Sequence, residues 1–295
     1  MSIFDKIKKG DGDLPPRVLL AGPEGIGKST WASHAPAPLF ISSEDGLTGL
    51  DHVERITPDN LDDLHVLLDA VGKDSHYKTI VFDTADWLER LIYTSICTRD
   101  GKTDVEAYGY GKGYVVAENE LVRILSKLDA IRHSKKIGVV FLSHVQIRTF
   151  NDPRGESWDR YEMKGNKKMT GILREWPDAC LFAVFEVHKI QQRGSPREKA
   201  IGGERVVHTV WSPAWDAKNR LQLPETLPLD YAAFQEATSS NSTGSLRLKV
   251  RDAFKAAKLD DAAKKAWDKF MATLESRSAD ELQTALERLN QKKGN

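Results

Sequence analysis

The sequence predicts an α/β fold, a mainly parallel sheet with a small C-terminal helical appendage. Short apolar runs without polar alternation read as strands covered by helices on both faces. Helical periodicity separates those runs, which is the βαβ pattern of a parallel sheet. A glycine-rich segment, Gly22-Pro-Glu-Gly-Ile-Gly-Lys28-Ser29, follows the first run directly.

Taken in order, Arg17–Ala21 is the first strand, Pro38–Ser42 the second, Thr79–Asp83 the third and Ile137–Leu142 the fourth. Leu121, Ile124, Leu125, Leu128 and Ile131 recur at helical spacing between the third and the fourth. Past Trp176, the runs Ala179–Val187 and Val206–Trp211 predict an antiparallel extension. Ala237–Ser245 has no apolar residue after Ala237 and reads as a flexible linker. The expected division is therefore a core over 1–236, a linker over 237–245 and a helical region over 246–295. In that last region Trp267, Met271 and Leu274 share a helical face. Ser278-Ala-Asp-Glu281 is a capping box ahead of Leu282, Leu286 and Leu289.

Composition narrows the function classes. Of 295 residues, 43 are Lys or Arg and 43 are Asp or Glu, so any nucleic-acid contact must come from local patches. Forty per cent hydrophobic and 29% charged residues exclude wholesale disorder. The sequence has no 18-residue apolar run, so no membrane span is expected. Met1–Asp13 lacks the apolar stretch of a signal peptide. Two cysteines, Cys97 and Cys180, stand apart without CxxC spacing, which predicts a cytoplasmic protein without a disulfide framework.

Residues 22–29 fit GxxxxGK[ST]. Gly22, Pro23, Glu24, Gly25, Ile26 and Gly27 would wrap a phosphate chain with backbone N–H groups, and Thr30 completes the segment. Lys28 would reach the β- and γ-phosphates and Ser29 would ligate Mg²⁺, which makes ATP with Mg²⁺ the expected cofactor. Asp83 ends a buried strand and suits the acidic partner of the metal, or alternatively a helix N-cap. Glu44, just past the second strand, is placed to orient or deprotonate water, with Glu24 and Asp86 as competitors.

These residues resemble RecA-type P-loop ATPases. Phe40-Ile-Ser-Ser-Glu44-Asp-Gly-Leu47 is similar to the family segment in which a strand delivers the catalytic glutamate. Val140-Phe-Leu-Ser-His144 is similar to the next core strand, which ends in a γ-phosphate sensor; His144 holds the place usually taken by glutamine, and Gln146 lies two residues on. Lys218-Asn-Arg220 resembles the Lys-x-Arg element that reaches into a neighbouring subunit's nucleotide. With Tyr108-Gly-Tyr-Gly-Lys-Gly-Tyr114, the set resembles phage Sak-type single-strand annealing proteins. The resemblance implies a RecA-like core and a homo-oligomeric ring or filament with ATP between subunits. It also implies single-stranded DNA as partner, with a single-strand binding protein as a further one, and the host cytoplasm as location.

The same resemblance implies DNA-binding loops after the sensor strand. Val145–Glu175 reads as a long polar loop in which Arg148, Arg154, Arg160, Lys164, Lys167 and Lys168 would track phosphates. Phe150, Trp158 and Tyr161 are interleaved and suit base stacking. Lys189–Arg205 and Tyr108–Tyr114 are further candidates. Two other classes compete with a DNA-dependent ATPase: a small-molecule kinase, and a nucleotide-dependent assembly switch without DNA chemistry.

Overall fold

The computed structural model describes residues 14–43, 49–191, 198–240, 243–256, 261–274 and 277–291. Its order opens with β1 (Arg17–Gly22), α1 (Lys28–Ser33), β2 (Pro38–Ser42), β3 (Glu54–Ile56), α2 (Leu61–Lys73), β4 (Thr79–Asp83) and α3 (Ala85–Arg99). It continues with α4 (Lys112–Lys135), β5 (Gly138–Phe150), β6 (Trp158–Met163), α5 (Lys167–Glu175), β7 (Ala179–Gln191) and β8 (Glu198–His208). The chain then runs through β9 (Lys218–Asn219), β10 (Thr226–Pro228), α6 (Tyr231–Ser240), α7 (Thr243–Ala256), α8 (Asp261–Ala272) and α9 (Ala279–Gln291).

The main sheet has the order β10-β8-β7-β1-β5-β4-β2-β3. From β7 to β3 every pair is parallel, while β8 and β10 add antiparallel strands beyond β7. Both the parallel centre and the antiparallel extension match the sequence expectation. The four predicted strands bury Leu19, Ile41, Phe82 and Phe141 with helix residues such as Leu88, Leu121 and Leu128. Phe82 and Phe141 stack at 4.6 Å, which ties β4 to β5 at the centre of that layer. Among the described residues, no helix is long and apolar enough to cross a membrane.

One expectation fails here. Val145–Glu175 is not a long loop: β5 runs on to Phe150, β6 returns against it from Trp158 to Met163, and α5 follows. Val145, Ile147 and Thr149 alternate with polar residues at the strand period and are β-branched, which favours an extended chain over a loop. His144 lies in register with Gly22, so the hairpin projects past the edge of the sheet that carries the phosphate loop.

Pro15–Phe234 form one unit and the residues from Gln235 onward belong to a second. Tyr231 and Phe234 open α6 and pack on Trp31 of α1, at 4.8 and 5.3 Å between rings. The stretch read as a linker is helical at both ends: Ala237–Ser240 close α6 and Thr243–Ser245 open α7. Low apolar content does not itself oppose a helix, and Ala232, Ala233, Gln235 and Glu236, good formers just ahead of this stretch, carry α6 into it. In the second unit Leu246, Val250, Leu274, Leu282 and Leu289 form a small core, with Trp267 and Met271 packed against it. The capping box forms as the spacing predicts: Ser278 N donates to Glu281 Oε2 at 2.9 Å, and Glu281 N to Ser278 Oγ at 3.3 Å.

Candidate nucleotide site and an adjoining cleft

The glycines of the loop are dictated by neighbours and by backbone. A Cβ on Gly22 would lie 2.6 Å from the carbonyl oxygen of Ala183 on β7, a collision with main chain. Gly25 and Gly27 have φ of 75° and 107°, the left-handed region where a side chain is strained. Lys28 opens α1 and is only 6% exposed. Its Nζ donates to the carbonyls of Gly22 and Pro23, each at 2.9 Å. Burial lowers its pKa to about 8, against the opposing pull of Asp83, Asp86 and Glu24.

Ser29 Oγ donates to Asp83 Oδ2 at 2.6 Å. Asp83 is buried at the end of β4, and that burial raises its pKa despite Ser29, Lys28 and His144. The N-cap position of α3 is Thr84, so Asp83 is left to face the loop. A buried carboxylate bonded to a hydroxyl that follows the loop lysine suits Mg²⁺, a hard cation that takes oxygen ligands. Among the described residues no group of three or more His, Cys, Asp or Glu could hold a metal alone, so phosphate oxygens would have to complete the shell.

His144 is brought to this site, and it is paired: its Nδ1 lies 3.2 and 3.3 Å from the two oxygens of Asp86 in the first turn of α3. Burial would raise the Asp86 pKa, but hydrogen bonds with His144 and Thr84 outweigh it and hold the carboxyl well below the usual range. Asp86 is thus engaged as the hydrogen-bond partner of His144, which weakens it as a competing base. Glu44 lies outside the described residues. Glu24 and Thr30 are exposed at the rim of the loop.

Lys218 and Arg220 are not brought to the phosphate loop of their own chain. Lys218 pairs in register with Cys180, and Arg220 N donates to Asp178 O beside Arg17, at the start of β1. At about 3.3 Å per strand residue, that is roughly 16 Å along β1 from Gly22. Lys218 Nζ donates to the carbonyls of Arg174 and Glu175, at 2.8 and 2.7 Å, and so caps the C-terminus of α5. Arg220 is exposed.

The six cations expected to follow a DNA backbone separate into two groups. Arg160 is 8% exposed, forms an ion pair with Asp216 and lies over the Phe150 ring at 5.6 Å. As a buried, neutralised group it is part of the packing, and its assignment to DNA is corrected. Arg154 is exposed but pairs with Asp152 at 3.3 Å. The interleaved aromatics are likewise used internally: Phe150 packs on Trp158 at 4.9 Å and Tyr161 on Phe182 at 5.2 Å. Arg148, Lys164, Lys167 and Lys168 remain, the last within 3.4 Å of Glu118.

Three of these line a cleft of about 600 Å³ together with Tyr110 and Tyr114. Tyr110 is fully exposed, whereas the Tyr114 hydroxyl bonds Glu106 and the Tyr108 hydroxyl bonds Asp100 at 2.7 Å. The floor of the cleft is held from α3: Asn166 N donates to both oxygens of Glu89 at 3.0 Å. The side chains of 187–191 and 198–201, most of the Lys189–Arg205 candidate, lie outside the described residues. Arg205 itself is described, and it lies on the phosphate loop: Nη1 is 3.5 Å from the carbonyl of Ile26. Only its place in a basic stretch marked it in the sequence.

A family model described as an AAA domain matches residues 14–221, well over half of the chain. No curated protein matches the sequence.

Proposed function

The chain belongs to the AAA-domain family of P-loop ATPases, and on that premise we propose a RecA-like enzyme that hydrolyses ATP on single-stranded DNA. Its setting would be phage-type recombination or single-strand annealing. The observation that carries the DNA reading is the cleft, where Tyr110 and Arg148, Lys167 and Lys168 converge from segments far apart in sequence. Cations neutralise phosphates irrespective of sequence, and an exposed ring offers a face on which any base can stack.

At the nucleotide, Lys28 leaves its loop carbonyls for the phosphates, since a charge-assisted bond is stronger than a bond to a neutral carbonyl. Ser29 and Asp83 would hold Mg²⁺, which when bound neutralises charge building on the β- and γ-oxygens. Glu44 is assigned the attacking water, because it follows the strand next to β4. His144 with Asp86 is assigned the reading of the γ-phosphate from the neighbouring strand end. Arg220 is exposed and distant from its own loop, which suits a contact to a neighbour's nucleotide in a homo-oligomer.

Turnover with and without single-stranded DNA tests the reading. The expected outcome is hydrolysis that rises several-fold with DNA. A small-molecule kinase would idle until given its acceptor, and an assembly switch would bind ATP without turnover.

A further inference from the structure

Beyond Lys28, the structure sets a second cation on the phosphate loop. Arg205 sits on β8, across from Phe185 of β7, and its own carbonyl accepts from Leu229 N at 3.0 Å. The guanidinium is therefore carried by paired strand. Its Nη1 reaches to 3.5 Å from Ile26 O and stands 2.9 Å from where a Cβ on Gly27 would be. Gly27 is required by its left-handed φ of 107°, and the arginine tip lies directly against it. Arg205 is exposed, and among the described residues no carboxylate pairs with it.

Charge and direction say what such a group is for. A nucleoside triphosphate with its magnesium keeps net negative charge, and Asp83 adds more, against the single buried ammonium of Lys28. Asp83, Asp86 and His144 approach the loop from the β5 and β4 side of β1 and mark where the metal and the terminal phosphate belong. Arg205 approaches from the opposite side, from β8 beyond β7. A nucleotide with its terminal phosphate toward Asp83 and His144 would have the rest of its phosphate chain on that side.

We infer that Arg205 is a positioning residue that grips the phosphate chain of the bound nucleotide within the same subunit, at an oxygen common to ATP and ADP. The guanidinium fork suits a phosphate, and it replaces one weak bond to Ile26 O by charge-assisted ones. The inference rests on the nucleotide reading of the loop and adds to it a contact that the glycine motif does not contain.

Equilibrium binding of ATP and ADP to full-length protein, with steady-state kinetics, tests it in wild type, Arg205→Ala, Arg205→Lys and Lys28→Ala. Thermal melting would confirm that the exposed-site variants stay folded. Arg205→Ala should weaken ATP and ADP by the same factor, about ten- to a hundredfold, as for loss of a hydrogen bond to a charged group. The loss should fall on KM more than on kcat. Arg205→Lys, which keeps the charge without the fork, should recover part of it. Unchanged affinity for both nucleotides in Arg205→Ala would overturn the inference and leave the loop assignment intact. Weakened ATP with unchanged ADP would also overturn it, because the contact would then be to the terminal phosphate. Wild type and Lys28→Ala binding nucleotide equally, or neither binding, would instead remove the nucleotide reading and the inference with it.

Discussion

At the phosphate loop, each functional group of the described residues already has a protein partner: Lys28 on two carbonyls, Ser29 on Asp83, His144 on Asp86. In the cleft beyond the same sheet edge, Tyr110 and Lys167 face solvent, and the exposed Lys168 ammonium stands 3.4 Å from Glu118. The loop is a preorganised site in which burial makes each electrostatic contact count. The cleft is a screened surface whose cations bind through the release of counterions. Substitutions should therefore act sharply and individually in the loop, and gradually and collectively in the cleft.

The largest effect is expected from Lys28→Ala, which should reduce hydrolysis to background, a loss of roughly 10³-fold or more for a charge clamp on a transferring phosphoryl group. Wild-type turnover in that folded variant would erase the distinction between the two regions. Next comes Glu44→Gln, which should keep ATP yet hydrolyse it roughly 10²–10⁴-fold more slowly, the usual range for loss of a general base. If Asp86→Asn showed that phenotype and Glu44→Gln did not, the water would belong to α3.

A pH series sharpens the contrast further. With its pKa lowered to about 8, Lys28 loses its charge in the free protein as pH rises through 8. ATP binds the charged form, so affinity should fall by about tenfold between pH 7 and pH 9. Lys28→Arg, which stays charged, should remove most of that dependence. Lys28 is not part of the cleft, so single-strand affinity serves as the control and should stay level over the same range. A parallel fall of both would point to global unfolding at high pH.

The two regions also differ in how far the sequence discloses them. The loop is legible because its chemistry is local: glycines, lysine and serine act within eight consecutive residues, after a strand whose apolar run is plain. Asp83 follows from the same reasoning two strands away in the sheet order, beyond β5. The cleft is assembled by topology. Arg148 lies on a strand extension that looked like loop, and Tyr110 arrives from the segment ahead of α4. Arg160 illustrates the failure most clearly, since its partner Asp216 is 56 residues away and nothing in the basic spacing reveals it. Lys218 is similarly opaque, because a three-residue match says nothing about the carbonyls of α5 that its ammonium meets.

Arg160→Ala therefore offers the smallest functional effect and a structural one in its place. It should cost about 1.5–3 kcal/mol of stability, as for a hydrogen bond to a charged group, and leave the salt dependence of DNA binding unchanged. A flattened salt slope without loss of stability would return Arg160 to the DNA surface.

The central claim is that the cleft is where a single strand binds. The direct measurement is the affinity of full-length protein for a single strand across a salt series, in wild type and in an Arg148→Ala, Lys167→Ala, Lys168→Ala triple variant. Each neutralised phosphate contributes about 0.7 to the slope of log affinity against log salt, so the triple variant should lower that slope by about 2. It should bind all base sequences more weakly alike, while hydrolysis without DNA persists. Identical slopes and affinities in the two proteins would contradict the account and place the strand elsewhere on the chain.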